Sequence, residues 1–121
     1  PLTHRDHAQA VTLVTAQPRP GGLEADWSAL AAPNHTVAVY MGAGLAAEVA
    51  ARLLQAGRAA STPVAVVENG ARPDQRVLTG RLDRLGALVR DAGVTGPAIL
   101  FIGETAALAR ADAPGLTEAA A

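Results

Sequence analysis

The chain has 121 residues, enough for one domain with one hydrophobic core, and its formal net charge of −1 excludes the basic footprint of a nucleic-acid binder. Half of the residues are hydrophobic, yet Trp27, Tyr40 and Phe101 are the only aromatics, which excludes a stacking platform for single strands. Cysteine and lysine are absent, which excludes a disulfide framework, a thiolate metal site, a cysteine nucleophile and a lysine Schiff base.

Pro1 to Gln9 is polar and carries His4, Arg5, Asp6 and His7. Ala10 to Ala16 turns apolar and β-branched and reads as a first strand. Pro18-Arg19-Pro20-Gly21-Gly22 is a loop, after which Asp26 caps a short helix over Trp27 to Ala32. Thr36 to Met41 is the second strand, broken by Gly42-Ala43-Gly44. Leu45 to Ala56 places Leu45, Val49 and Leu53 on one helical track, and Gly57 is its stop. Pro63 to Val67 is the third strand; joined through a helix to the second, it is predicted to run parallel to it. Ligands gather at the carboxyl ends of such strands, here Tyr40-Met41-Gly42 and Glu68-Asn69-Gly70.

Ala71 to Asp74 is turn chemistry, too short for a crossover, so Gln75 to Leu82 is predicted to pair antiparallel with Pro63 to Val67. Leu82, Leu85, Leu88 and Val89 share one face of a helix ending at Gly93. Pro97 to Ile102 is apolar on both faces and is predicted to be a central strand. A short helix over Ala106 to Ala111 and a frayed alanine-rich tail complete the chain. The architecture expected is α/β: a mixed sheet of about five strands with flanking helices, one domain over 1–121. No apolar run is long enough to span a bilayer, and no signal-peptide pattern opens the chain, so the expectation is a cytoplasmic domain without membrane or nucleic-acid partners. A start on Pro1-Leu2-Thr3 without methionine reads as a piece of a longer protein.

Three patterns have both a functional and a plain reading. Gly42-Ala43-Gly44-Leu45-Ala46-Ala47 fits G-x-G-x-x-A between a strand and a helix, with Glu68 about where a ribose-binding acid belongs. Set against a dinucleotide site is the tight turn into an antiparallel strand after Glu68; the plain reading is glycine that permits a turn. His4, Asp6, His7 and the distant His35 do not make a convergent metal set, so no metal is expected. Asn69-Gly70 favours a positive-φ turn, either a mere hairpin or a backbone shaped to approach a flat ligand.

Pro1-Leu2-Thr3-His4-Arg5-Asp6, Tyr40-Met41-Gly42, Val66-Val67-Glu68-Asn69-Gly70, Gln75-Arg76-Val77-Leu78-Thr79-Gly80 and Pro97-Ala98-Ile99 carry a resemblance together. In this order and spacing they resemble the tetrapyrrole methylase family, in particular its C-methyltransferases of uroporphyrinogen III. The likeness runs from Pro1 to about Leu108 and covers the C-terminal domain of that two-domain family; the N-terminal domain, with its glycine-rich loop and catalytic carboxylate, is not in this sequence.

The resemblance implies an S-adenosyl-L-methionine-dependent methyltransferase that converts uroporphyrinogen III to precorrin-2, on the route to sirohaem and cobalamin. It implies a cofactor cleft between two domains, S-adenosyl-L-homocysteine as product, and a homodimer. Met41, Gly70 and Ala98 match cofactor contacts, and Arg5, Arg19 and Met41 match the tetrapyrrole side. No catalytic base is identified, and this segment alone is expected to be inactive. Ala71 stands where the family has threonine, His7 where tyrosine is common, and Ala16 where glycine is common. The alternatives are a methylase of another precorrin, or a Rossmann-like nucleotide-binding module without catalysis.

Overall fold

The computed structural model describes residues 1–16 and 25–110. Strand β1 (Ala10–Thr15) leads to a short helix α1 (Trp27–Leu30), whose first turn is capped as expected: the Ala29 N–H donates to Asp26 Oδ1 at 3.2 Å. Strand β2 (His35–Tyr40) begins one residue earlier than the sequence pattern suggests and stops before Met41, which adopts a left-handed φ of 58°. A 3₁₀ turn over Ala43–Leu45 then feeds α2 (Ala46–Gln55), so the glycines delay the α-helix rather than open it. At its far end Arg58 N–H donates to the Leu53 carbonyl and Gly57 N–H to Leu54, the paired bonds that close a helix over a left-handed glycine.

Strands β3 (Pro63–Glu68) and β4 (Arg76–Arg81) form the expected antiparallel hairpin. A 3₁₀ turn over Leu82–Arg84 precedes α3 (Leu85–Asp91). Strand β5 (Ala98–Ile102) follows, then a 3₁₀ turn, Glu104–Leu108, where the sequence suggests a helix from residue 106; residue 111 and the tail after it lie outside the described residues.

The strand order is β1-β2-β5-β3-β4. β1 runs parallel to β2, and β5 runs antiparallel to both β2 and β3. β2 and β3 are therefore parallel, as their helical connection requires, but they are not neighbours. The crossover rule fixes direction, not adjacency; the gap is filled by β5, the strand apolar on both faces. The carboxyl ends of β1, β2 and β3 and the start of β5 consequently share one edge of the sheet.

One face of the sheet is covered by α2 and α3. Val37, Val39, Val64, Val66, Leu100 and Ile102 meet Val49, Leu53, Leu82 and Leu85 there, all of them buried. Each such side chain contributes about 1.5–3 kcal/mol of burial free energy. The opposite face carries two cross-strand rows, Leu13-Ala38-Phe101-Ala65-Thr79 and Thr15-Tyr40-Ile99-Val67-Val77. The Glu104–Leu108 turn covers part of it, with Thr105 Oγ1 3.0 Å from Thr36 Oγ1. Leu13 remains 62% exposed and Tyr40 42%.

Arg58 fastens the turn to the sheet. Its buried guanidinium donates to the carbonyls of Ala32 (2.6 Å) and His35 (3.1 Å) and to Glu104 Oε2 (2.9 Å). Such a charge is tolerated inside because both terminal nitrogens meet acceptors, one of them a carboxylate.

Candidate functional site

The shared edge forms a cleft of about 440 Å³ lined by Tyr40, Met41, Val67, Gly70, Pro97, Ala98, Ile99 and Phe101. Its volume lies in the range of small-molecule sites. Three elements supply the walls: the end of β2, the turn after β3 and the beginning of β5. The lining is apolar apart from Tyr40, so the cleft offers shape and exclusion of water rather than acid–base chemistry. Met41, 66% exposed, stands at its rim.

Met41, Gly70 and Ala98, separated by up to 57 positions in the chain, thus come together in one place. Arg5 does not join them. It lies in the turn closed by the reciprocal bonds of His4 and Ala8, before Ala10 pairs with His35 at the amino end of β2. The length of a six-residue strand, roughly 17 Å, separates that edge from Met41. Arg19 lies outside the described residues. Tyr40 lies in the strand end where the sequence places the site, whereas Ile99 and Phe101 were missed as cleft residues; alternation along β5 puts those two on one face without saying which face stays open.

Gly70 lines the cleft for a reason other than the expected one. The left-handed positions of the turn are Asn69 (φ 54°) and Ala71 (φ 64°), not the glycine. Asn tolerates that region through its short polar side chain; Ala71 is held there by its N–H donating to Gln75 Oε1 at 2.7 Å. At Gly70 a Cβ would stand 3.3 Å from Val67 Cγ1, a crowded approach on the cleft wall.

Glu68 is not a ribose acid. Its carboxylate is buried and faces away from the cleft: Oε2 accepts the N–H groups of Thr95 and Gly96, both at 2.8 Å, and Oε1 accepts Arg76 Nε at 2.7 Å. The Gly96 N–H, Arg76 and the Thr95 N–H together hold its pKa at about 2, against an ordinary 4.5. The histidines are likewise dispersed. His35 Nε2 lies 2.6 Å from Thr12 Oγ1, and the His4 and His7 rings lie 4.7 Å apart in the turn that precedes β1. Among the described residues no group of three or more metal-ligating side chains converges.

An α/β domain with an apolar ligand cleft at the carboxyl edge of a mixed sheet is the class that fold and site define. The chain belongs to the tetrapyrrole (corrin/porphyrin) methylases, whose family model matches residues 1–86. It is 52% identical over 108 residues to the siroheme synthase of Pseudoalteromonas translucida (strain TAC 125), covering 89% of this chain and 23% of that protein. The siroheme synthase of Chromobacterium violaceum is 46% identical over 109 residues, again covering 23% of its length. Among solved structures, the uroporphyrin-III C-methyl transferase of Thermus thermophilus complexed with S-adenyl homocysteine superposes with a TM-score of 0.72 at 30% identity, over 90% of this chain and 48% of that one. A cobalt precorrin-4 methyltransferase of cobalamin biosynthesis gives 0.74 at 26% identity, over 85% and 44%. The chain therefore spans less than a quarter of the siroheme synthases it matches and less than half of the solved methyltransferases.

Proposed function

We propose that this chain is the C-terminal domain of an S-adenosyl-L-methionine-dependent uroporphyrinogen-III C-methyltransferase that forms precorrin-2. The convergence of Met41, Gly70 and Ala98 on one apolar cleft carries the reading. The lining fits such a cofactor: the flat adenine ring presents an apolar face that needs a wall without bulky side chains, and Gly70 and Ala98 provide one. Bound there, the cofactor supplies an electrophilic methyl group on a sulfonium.

The residues of this chain then do two things. The apolar walls exclude water from the sulfonium, and the three rigid strand ends fix its orientation toward a substrate held by an amino-terminal domain. Positioning of this kind is the main source of rate in a displacement that needs no covalent help from the protein. The proton lost after methylation leaves through a group outside the cleft lining, which holds no carboxylate or histidine. Arg5 and Arg19 are assigned to the tetrapyrrole carboxylates by family likeness, with the guanidinium fork as the physical warrant. A homodimer in the cytoplasm completes the proposal.

The test is calorimetric titration of S-adenosylhomocysteine into the protein carrying its amino-terminal domain, paired with a precorrin-2 assay. Micromolar binding is expected, lowered about tenfold or more in Gly70→Val, whose branched side chain enters the cleft beside Val67. The 121-residue chain alone is expected to give no turnover. Unchanged affinity in a folded Gly70→Val variant would remove the cofactor from this cleft. Methylation of a later precorrin with no activity on uroporphyrinogen III would favour the second family reading, that of a methylase for another precorrin.

A further inference from the structure

We propose that Glu68 is a positioning residue for the cleft: from behind the sheet, its carboxylate fixes the separation of the walls that carry Gly70 and Pro97–Ala98. The inference rests on the cofactor reading above and deepens it.

The two walls belong to adjacent antiparallel strands, with Glu68 opposite Ala98 in register. Gly70 continues from β3 and Pro97 leads into β5, so both lie beyond the ladder, where inter-strand bonds no longer hold them. Two stitches replace those bonds. In front, the Asn69 N–H donates to the Pro97 carbonyl at 2.8 Å. Behind, Glu68 reaches across the register to take the N–H groups of Thr95 and Gly96.

The rear stitch is itself anchored. Arg76, on β4, donates its Nε to Glu68 Oε1 and its Nη1 to the carbonyl of Ala92 at 2.9 Å, at the end of α3. One carboxylate thereby ties β3, β4 and the whole segment between α3 and β5. Gly96 adds closeness: a Cβ there would collide with the Asn69 side chain, so the two loops pack directly on each other. A glutamate has the reach for this; an aspartate is one methylene short of Thr95 and Gly96. Without the carboxylate, two N–H groups lose their acceptor and the 95–97 segment loses its tether. The wall formed by Pro97 and Ala98 then shifts relative to Gly70.

The experiment uses the two-domain protein and S-adenosylhomocysteine as the probe. Glu68→Gln keeps the side-chain length and one acceptor oxygen, but its NH2 must face either the Thr95 and Gly96 N–H groups or Arg76 Nε, all of them donors. This donor-against-donor clash, worse than the vacancy Arg76→Gln would leave, together with the lost charge is expected to weaken binding about tenfold. The KM for S-adenosylmethionine should rise while that for the tetrapyrrole holds, a split that general loosening of the fold would not produce. Glu68→Asp should not restore affinity. Arg76→Gln, which leaves the Thr95 and Gly96 bonds in place, should weaken it only about threefold. Binding by Glu68→Gln within twofold of wild type, or an equal rise in both KM values, overturns the proposal. If Glu68→Gln fails to fold, Arg76→Gln decides, and unchanged affinity there overturns it as well. Absence of binding by the wild-type protein sinks the cofactor reading and this proposal together. Normal wild-type binding with an unaffected variant sinks this one alone.

Discussion

The acid behaviour of a single carboxylate follows from its bonds. Glu68 titrates near 2 in the folded chain because Gly96, Arg76 and Thr95 hydrogen-bond its charged form; unfolded, it returns to about 4.5. A depressed carboxylate stabilises the fold fully above its unfolded value and loses that contribution as pH falls through the folded one. The stability gap between wild type and Glu68→Gln should therefore be widest above pH 4.5 and shrink steadily toward pH 2. Urea midpoints of both proteins at several pH values measure it, and a gap that stays constant would show that the charge is not what the loop holds. Residue roles were unevenly legible. Motif likeness singled out Met41, Gly70 and Ala98, and all three line one cleft; the conformation at Gly70 was not legible, because a sequence cannot say which residue of Glu-Asn-Gly-Ala takes the left-handed turn. Arg58 gave no signal at all: its acceptors at Ala32, His35 and Glu104 are backbone and side-chain oxygens brought together only by folding.

At the scale of elements, the periodicities served well and the neighbours did not. β5 was recognisable as central from Ala98-Ile99-Leu100-Phe101-Ile102, and the β3–β4 hairpin from its short turn. The separation of β2 from β3 was invisible, since both orders satisfy the same helical crossover. Packing between helices was also out of reach. α3 approaches α2 at Gly86, where a Cβ would lie 2.8 Å from Ala47 Cβ and 3.0 Å from its Cα. The obstacle is backbone, which cannot step aside. Gly86→Ala gains helix propensity of about 1 kcal/mol but forces the helices apart at about 1–3 kcal/mol. A net destabilisation of about 1 kcal/mol is expected in denaturant melts, by the difference of those terms. A stabilised Gly86→Ala would mean that the contact yields more easily than its geometry implies.

For the molecule as a whole, the position of β5 has a consequence in time. Of the five described strands, the one that joins the two halves of the sheet is the last to be synthesised: Val37 waits for Ile102, 65 positions later. At ~5–20 residues per second that is a delay of about 3–13 s. Until β5 arrives, Val37 to Tyr40 and Val64 to Val67 have no strand to pair with on their inner edges. Such edges invite pairing with other chains. Nascent polypeptides stalled at Pro97 should accordingly be protease-sensitive and prone to co-aggregate, whereas those released past Leu108 should become resistant in one cooperative step. Pulse proteolysis of the two arrested species would measure this, and protection of the shorter one would mean that the halves close on each other without their keystone. A chaperone that binds extended apolar segments has its window of opportunity here, before translation supplies the middle of the sheet.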